Sequence, residues 1–371
     1  MEGEINKNLY ENPNEILYIS FNQDNNCIAI GTEKGFKIIN TFPFIDLYYK
    51  EMNGGIGIIE MYEKSNILAL VGGGKNPVFP ENELILWDEE KNSKICKIKS
   101  KLKILNVKIQ LNKIFIVNEE KILVFDFNTL NLLECLETKN SKGLLTICKL
   151  ANIIAYPDSQ QQGAIRIKYY NDQKELYLKV HKTPLNCIQL NQQGNLIATC
   201  SLKGTIIRIY DIERKQLISE VRRGTDKASV NYIAFDVSQK YLLAISDKKA
   251  VNLFFIKVNN NLLNQLNNNS EITRESDVID EKTNNIVEVP IGENENKPGI
   301  FGGVSHFFRA GKKFFNSEWY FSKFKINTQK AIGVFAPDNS IIIITYDGKY
   351  YQVVYDPVNG EECIKIQEEK F

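Results

Sequence analysis

A short strand ending in an aromatic or apolar residue, often with Asp behind it, recurs along this 371-residue chain. It reads GFKIIN ending near Ile39, LILWD with Trp87, ILVFD with Phe125 and IRIKY with Tyr169. It continues as IIRIYD with Tyr210, VNLFF with Phe254 and YYQVVYD with Tyr355. Subtracting successive positions gives spacings of 48, 38, 44, 41, 44 and 101 residues. A period of about 40–45 residues, with the dipeptide Trp87-Asp88 in one copy, is the mark of four-stranded propeller blades. One four-stranded sheet cannot bury both of its faces; radial packing of blades buries them and leaves only short edges. Seven markers therefore predict an all-β fold, a seven-bladed β-propeller of WD-repeat type. The competing reading is a β-sandwich array with accidental spacing, which seven markers with one interruption disfavour. Length alone would suggest two or three domains.

The gap of 101 holds one blade period and a surplus. Seven blades of about 44 residues use about 308, which leaves about 63 over. The surplus falls inside blade six, so the chain divides into 1–258 (blades one to six, in part), 259–318 (an inserted loop) and 319–371 (completion of a single propeller domain). Residues 259–270 are a polar tract with seven asparagines, and 271–298 carry eight acidic and three basic side chains. Both have the composition of a disordered tether. Residues 300–325 then hold five Lys/Arg against one Glu, with nine aromatics. At 100° per residue, Ile300, Phe301, Val304, Phe307, Phe308, Phe314 and Phe315 fall within an arc of about 140°. Arg309, Lys312 and Lys313 fall on the other side. A basic face opposite a Phe-rich face is the pattern of a helix lying in a membrane interface, although a helix packed on the propeller flank would look similar. The run WYFSKFKI is expected to re-enter the blade as a core strand.

Composition removes several function classes. The formal charge of +1, from 46 basic and 45 acidic residues, excludes a wholesale nucleic-acid binder. Seven cysteines with no C-x-x-C spacing, and only two histidines, argue against zinc and other metal sites. No apolar run approaches a membrane span. The polar N-terminus has no signal-peptide core, so a soluble cytoplasmic chain is expected. Gly72-Gly73-Gly74-Lys75 lacks the Ser/Thr and the helix of a phosphate loop, and reads as a turn. No cofactor is implied.

The densest polar constellation spans 181–226. It holds His181, then Ser201, Lys203, Gly204 and Thr205 in SLKGT, then Arg222, Arg223, Gly224 and Thr225 in VRRGTD. Side chains alternate across a strand, so the adjacent arginines serve two pockets, one on each side; Gly224 is expected to let the chain turn sharply. Arg offers a fork of donors for phosphate oxygens. Hydroxyls and a His add neutral donors, and Lys203 adds a point charge. With no carboxylate pair, nucleophile or metal set beside them, these groups bind phosphate and do not turn it over. The bland alternative is a solvated or salt-bridged Arg pair.

These residues resemble the PROPPIN family, seven-bladed propellers that bind phosphoinositides in autophagy. The family's Phe/Leu-Arg-Arg-Gly is Val221-Arg222-Arg223-Gly224 here, preceded by a matching His181…SLKGTIIRIYD stretch. FNQD (Phe21 to Asp24), GTEKGFKI, LVGGGKNP, GLL (Gly143 to Leu145), NSEW and DGKYY are also similar to family segments. The resemblance implies a first lipid-headgroup site of His181, Ser201, Lys203, Thr205 and Arg222. It implies a second, partly degenerate one of Arg223, Thr225, Ser246, Lys248 and Asn252. There the family's SSDKGTxH reads ISDKKAVN, with Lys249 for Gly, Ala250 for Thr and Asn252 for His. It further implies that the blade-six insertion enters membranes through Phe301, Val304, Phe307, Phe308, Arg309, Lys312, Lys313, Phe314 and Phe315. Asn22 and Asp24 match positions that contact a rod-shaped autophagy lipid-transfer protein, or they simply stabilise a turn.

The expected function is a monomeric, non-enzymatic peripheral adaptor. It would recognise phosphatidylinositol 3-phosphate or the 3,5-bisphosphate on autophagic, endosomal or vacuolar membranes. Two rivals stand beside it: a WD-repeat scaffold for proteins without lipid binding, and an enzyme on a propeller.

Overall fold

A computed structural model of the chain describes residues 15–256 and 320–371. The predicted insertion, 259–318, lies outside them, as do all nine of its membrane-facing residues. The described residues form 28 strands in seven four-stranded antiparallel sheets, each made of consecutive strands. We name the strands of each blade A to D, from the central channel to the rim. The seven marker segments are the C strands, from Gly35–Asn40 in blade one to Lys349–Val354 in blade seven. Their recurrence in the sequence is thus the recurrence of one structural position.

The apolar cores lie between blades. One cluster joins blades four and five through Ile153, Ile165, Ile197 and Tyr210. The next joins blades five and six through Ala198, Ile207, Leu242 and Phe254. Alternation explains this: Ile197 and Ala198 are neighbours on one strand and enter different clusters. The middle strands are therefore buried on both faces. Strand B of blade five, Leu196–Ser201, is buried throughout. The rim strand of blade two, Ser93–Lys99, alternates with solvent.

The ring closes by the same rule. Ile19, Ile28 and Ile30 of blade one share a cluster with Ile332, Ile342 and Tyr350 of blade seven. The ring of Phe44 lies 4.4 Å from that of Tyr350. Among the described residues no strand is exchanged between these two blades.

The Asp that follows several markers has a local task. Asp88 Oδ1 accepts the backbone N–H of Lys91, Asp126 Oδ1 that of Thr129, Asp211 Oδ1 that of Arg214 and Asp356 Oδ1 that of Val358. Each closes the turn from strand C to strand D. These backbone bonds hold the carboxyls of Asp88, Asp126 and Asp356 below the usual range.

Blade six resumes at Tyr320, and Ser322–Lys325 pairs with Ala250–Phe255 as its outermost strand. The re-entering run is therefore a rim strand and not a core strand. Its Phe321 and Phe324 still pack against the core between blades six and seven. The segment after Gly72 is a turn, as expected; Glu33 accepts the N–H of Lys75 there, at 2.9 Å. Antiparallel order places all B–C turns and D–A loops at one end of the ring, and all A–B and C–D turns at the other.

Candidate anion site in the crevice between blades four and five

The D–A loop leaving blade four brings in His181. It is only 5% exposed, and its Nε2 lies 3.1 Å from Thr199 Oγ1. Burial, reinforced by the nearby Arg208 guanidinium, pulls its pKa from 6.5 down to about 4. The ring is therefore neutral at pH 7. Thr199 and Ser201 are two residues apart on strand B, so they share the face turned to blade four. Ser201 and Thr205 are each 7% exposed, while Lys203 is exposed at the turn between them.

That B–C turn is pinned from both sides. Leu202 N–H donates to Pro184 O at 2.9 Å, and Ala228 N–H donates to Lys203 O at 3.3 Å. Gly204 sits at φ +66°, and a Cβ added there would come within 1.7 Å of Ala228 O. No other residue fits this position.

Strand D of blade five, Gln216–Arg222, ends at the crevice, with Arg222 paired to Ile206. Val221 enters the core between blades five and six. Arg222, one residue on, faces the opposite way, toward blade four. Arg223 then returns to the blade-six side. Its Nε donates to Gly204 O at 2.8 Å and its Nη2 to Asp226 O. Burial lowers its pKa, and Asp247 of blade six works against that shift. The two arginines thus serve separate crevices. Gly224, however, is not in the left-handed region, and a Cβ there would meet nothing within 4 Å. The turn does not depend on that glycine, contrary to the sequence expectation; the strained position is Gly204.

In the crevice between blades five and six, Ser246 and Asn252 are 1% and 3% exposed. Ser246 Oγ, Asp247 Oδ1 and Asn252 Oδ1 are buried with no hydrogen-bond partner. Lys248 and Thr225 are exposed. Strand pairing in blade six runs to Ser246 opposite Ala250, leaving only Asp247–Lys249 as the turn. In blade five it stops at Cys200 opposite Ile207, leaving a longer loop. Lys249, standing where blade five has Gly204, is itself at φ +57°.

Two contributors went unread in the sequence. Thr199 orients His181, and its signal was the alternation from Ser201. Arg208 donates to Val180 O at 2.7 Å and pairs with Glu220 at 3.0 Å, lining the same wall. Asn22 is 2% exposed; its amide donates to Glu63 O and accepts from Cys27 N–H. Asp24 beside it is exposed and pairs with Lys64 at 3.2 Å. Among the described residues no His/Cys/Asp/Glu group could hold a metal, and no helix is long and apolar enough to cross a membrane.

The fold is a WD-type propeller that gathers buried hydroxyls, a neutral imidazole and an Arg-Arg pair at one end of its ring. The PROPPIN family model matches residues 16–273, and the chain belongs to that family. It is 34% identical over 244 residues to autophagy-related protein 18 of Dictyostelium discoideum, an alignment spanning 65% of each chain, just under two thirds of that relative. It is 26% identical to autophagy-related protein 18 of Yarrowia lipolytica over 95% of this chain and 96% of the relative. The solved structure of Kluyveromyces lactis Hsv2 superposes with a TM-score of 0.71 at 22% identity, covering 96% of this chain and 99% of that one. At that identity the match speaks for the fold.

Proposed function

We propose that this chain is a peripheral membrane adaptor that binds phosphatidylinositol 3-phosphate and the 3,5-bisphosphate and carries autophagy or endolysosomal partners to the membrane. The observation that carries this reading is the convergence of His181, Ser201, Thr205 and Arg222 on one crevice. A phosphomonoester there takes charge-assisted hydrogen bonds from the Arg222 fork and neutral ones from the hydroxyls and the ring. Lys203, in solvent, adds long-range attraction that salt weakens. Arg223 offers a second, poorer contact in the next crevice. The basic, Phe-rich segment 300–315 adds a third attachment by lying in the interface. Several weak contacts on one body gain through effective concentration. Asp24 is the exposed member of the pair proposed to meet a rod-shaped lipid-transfer partner.

The test is vesicle sedimentation with phosphatidylcholine vesicles carrying either phosphoinositide. Arg222→Ala/Arg223→Ala should lower binding by about a hundredfold, each lost charged contact being worth roughly tenfold. Its thermal unfolding should change little. Unchanged sedimentation would refute lipid recognition. Deleting 300–315 should weaken binding and leave the preference between headgroups intact; a changed preference would contradict the division of labour.

A further inference from the structure

We infer that the crevice between blades three and four is a further anion site, built to take a phosphate-bearing headgroup or a soluble inositol phosphate. A cavity of about 220 Å³ opens there, between the D–A loop leaving blade three and the B–C turn of blade four. Its lining includes Lys139, Ser141 and Lys142 from the first segment and Gln160, Gln161 and Gln162 from the second. This is the crevice that holds His181 and Thr205, moved one blade back along the ring.

The chemistry is that of an anion receptor. Lys139 and Lys142 are exposed, and among the described residues neither has an ion pair or hydrogen-bonded side-chain partner. Both charges line the cavity and would be met by an anion that entered it. Elsewhere on the ring lysines do find acids, as Lys103 pairs with Glu81 and Lys97 with Glu83. The one carboxylate in the lining, Asp158, is neutralised by Arg166 and accepts the N–H groups of Gln160 and Gln161. It is engaged within its own turn, while the three glutamines line the cavity.

The scaffold is rigid. Thr138 Oγ1 donates to Pro157 O, and Asn140 both donates to Leu144 O and accepts Leu144 N–H. Those buried bonds fix the loop on either side of Lys139. Gly163, at the cavity wall, accepts the N–H groups of Val180 and His181 at 3.1 and 2.9 Å. A Cβ on Gly163 would meet His181 O at 2.1 Å. The cavity and the His181 loop therefore share a wall, and anion sites in blades three to six would form one row at the same end of the ring.

This assignment stands on its own cavity and does not require that the ligand be a lipid. The experiment is calorimetric titration of the full chain with inositol 1,3-bisphosphate at low salt, beside sedimentation with phosphatidylcholine vesicles containing phosphatidylinositol 3-phosphate. Arg222→Ala/Arg223→Ala should retain one weak binding event. Adding Lys139→Ala/Lys142→Ala should abolish it. In the otherwise native chain, the lysine pair alone should lower the number of ligands bound by one, with thermal melting unchanged. If the arginine variant binds nothing, or its residual binding ignores the lysines, the inference is wrong. Soluble ligand bound without vesicle binding would support the crevice, assign it to free inositol phosphates and refute the membrane reading. Binding of the arginine variant in both arms, abolished in each on removing the lysines, would place a lipid headgroup in it.

Discussion

Blades five and six carry equivalent five-residue strings between strands B and C, SLKGT against SDKKA, with Ser and Lys in common, and do different things with them. In blade five Gly204 takes the left-handed conformation freely, and Thr205 stays in a long loop beside Ser201 and Arg222. In blade six Lys249 is forced into that conformation, Ala250 zips into the strand, and the turn shrinks to three residues. Blade five satisfies its buried His181 through Thr199; blade six leaves Ser246, Asp247 and Asn252 with orphaned oxygens. One crevice gathers a buried imidazole, two hydroxyls and an arginine, the set proposed to hold an anion. The other retains the acceptors but has lost donors, and Asp247 lies in the field of its only arginine. The two strings differ at three positions, and the turns they form differ in length and in which groups reach the crevice.

The largest effect is expected at the turn glycine. Gly204→Ala should destabilise the propeller by about 2–4 kcal/mol, from the left-handed backbone and the clash with Ala228 O; chemical denaturation measures it. The corresponding Lys249→Gly change should act in the opposite sense.

His181 gives an effect of similar size that appears only with pH. Its folded pKa of about 4 lies below the unfolded value of 6.5, so between those values the unfolded chain binds more protons. Stability is complete above pH 6.5 and falls by about 3 kcal/mol as pH drops to about 4. His181→Gln should flatten that part of the stability profile, and an unchanged profile would mean that the ring is not held neutral. The smallest effect is expected at Lys249→Gly, a gain of about 1 kcal/mol from relief of the left-handed lysine. No gain there would show that the two turns are not equivalent.

Much of this architecture was legible in the residues. The markers Ile39 to Tyr355 found the seven C strands because each sits between two cores and must present apolar side chains on both faces. The Asp behind Trp87 and Phe125 was legible as punctuation, and its task as a turn cap needed coordinates. The divergence of Arg222 and Arg223 followed from strand geometry alone. The role of Gly224 did not, because a glycine beside two arginines says nothing about φ; the constraint lay at Gly204, set by a carbonyl 24 residues away in the chain. Thr199 and Arg208 were hidden for the same reason, since their partners come from blade four. The shortened blade-six turn was invisible because pairing register depends on how far the strands zip, and the letters of the turn do not state it.

The central claim is that the crevice between blades four and five is the principal headgroup site and its neighbour the weaker one. Sedimentation of Arg222→Ala and Arg223→Ala, made singly, with vesicles carrying phosphatidylinositol 3-phosphate tests it most directly. Arg222→Ala should lower binding tenfold or more, and Arg223→Ala clearly less. Equal losses, or a larger loss at Arg223, would contradict it.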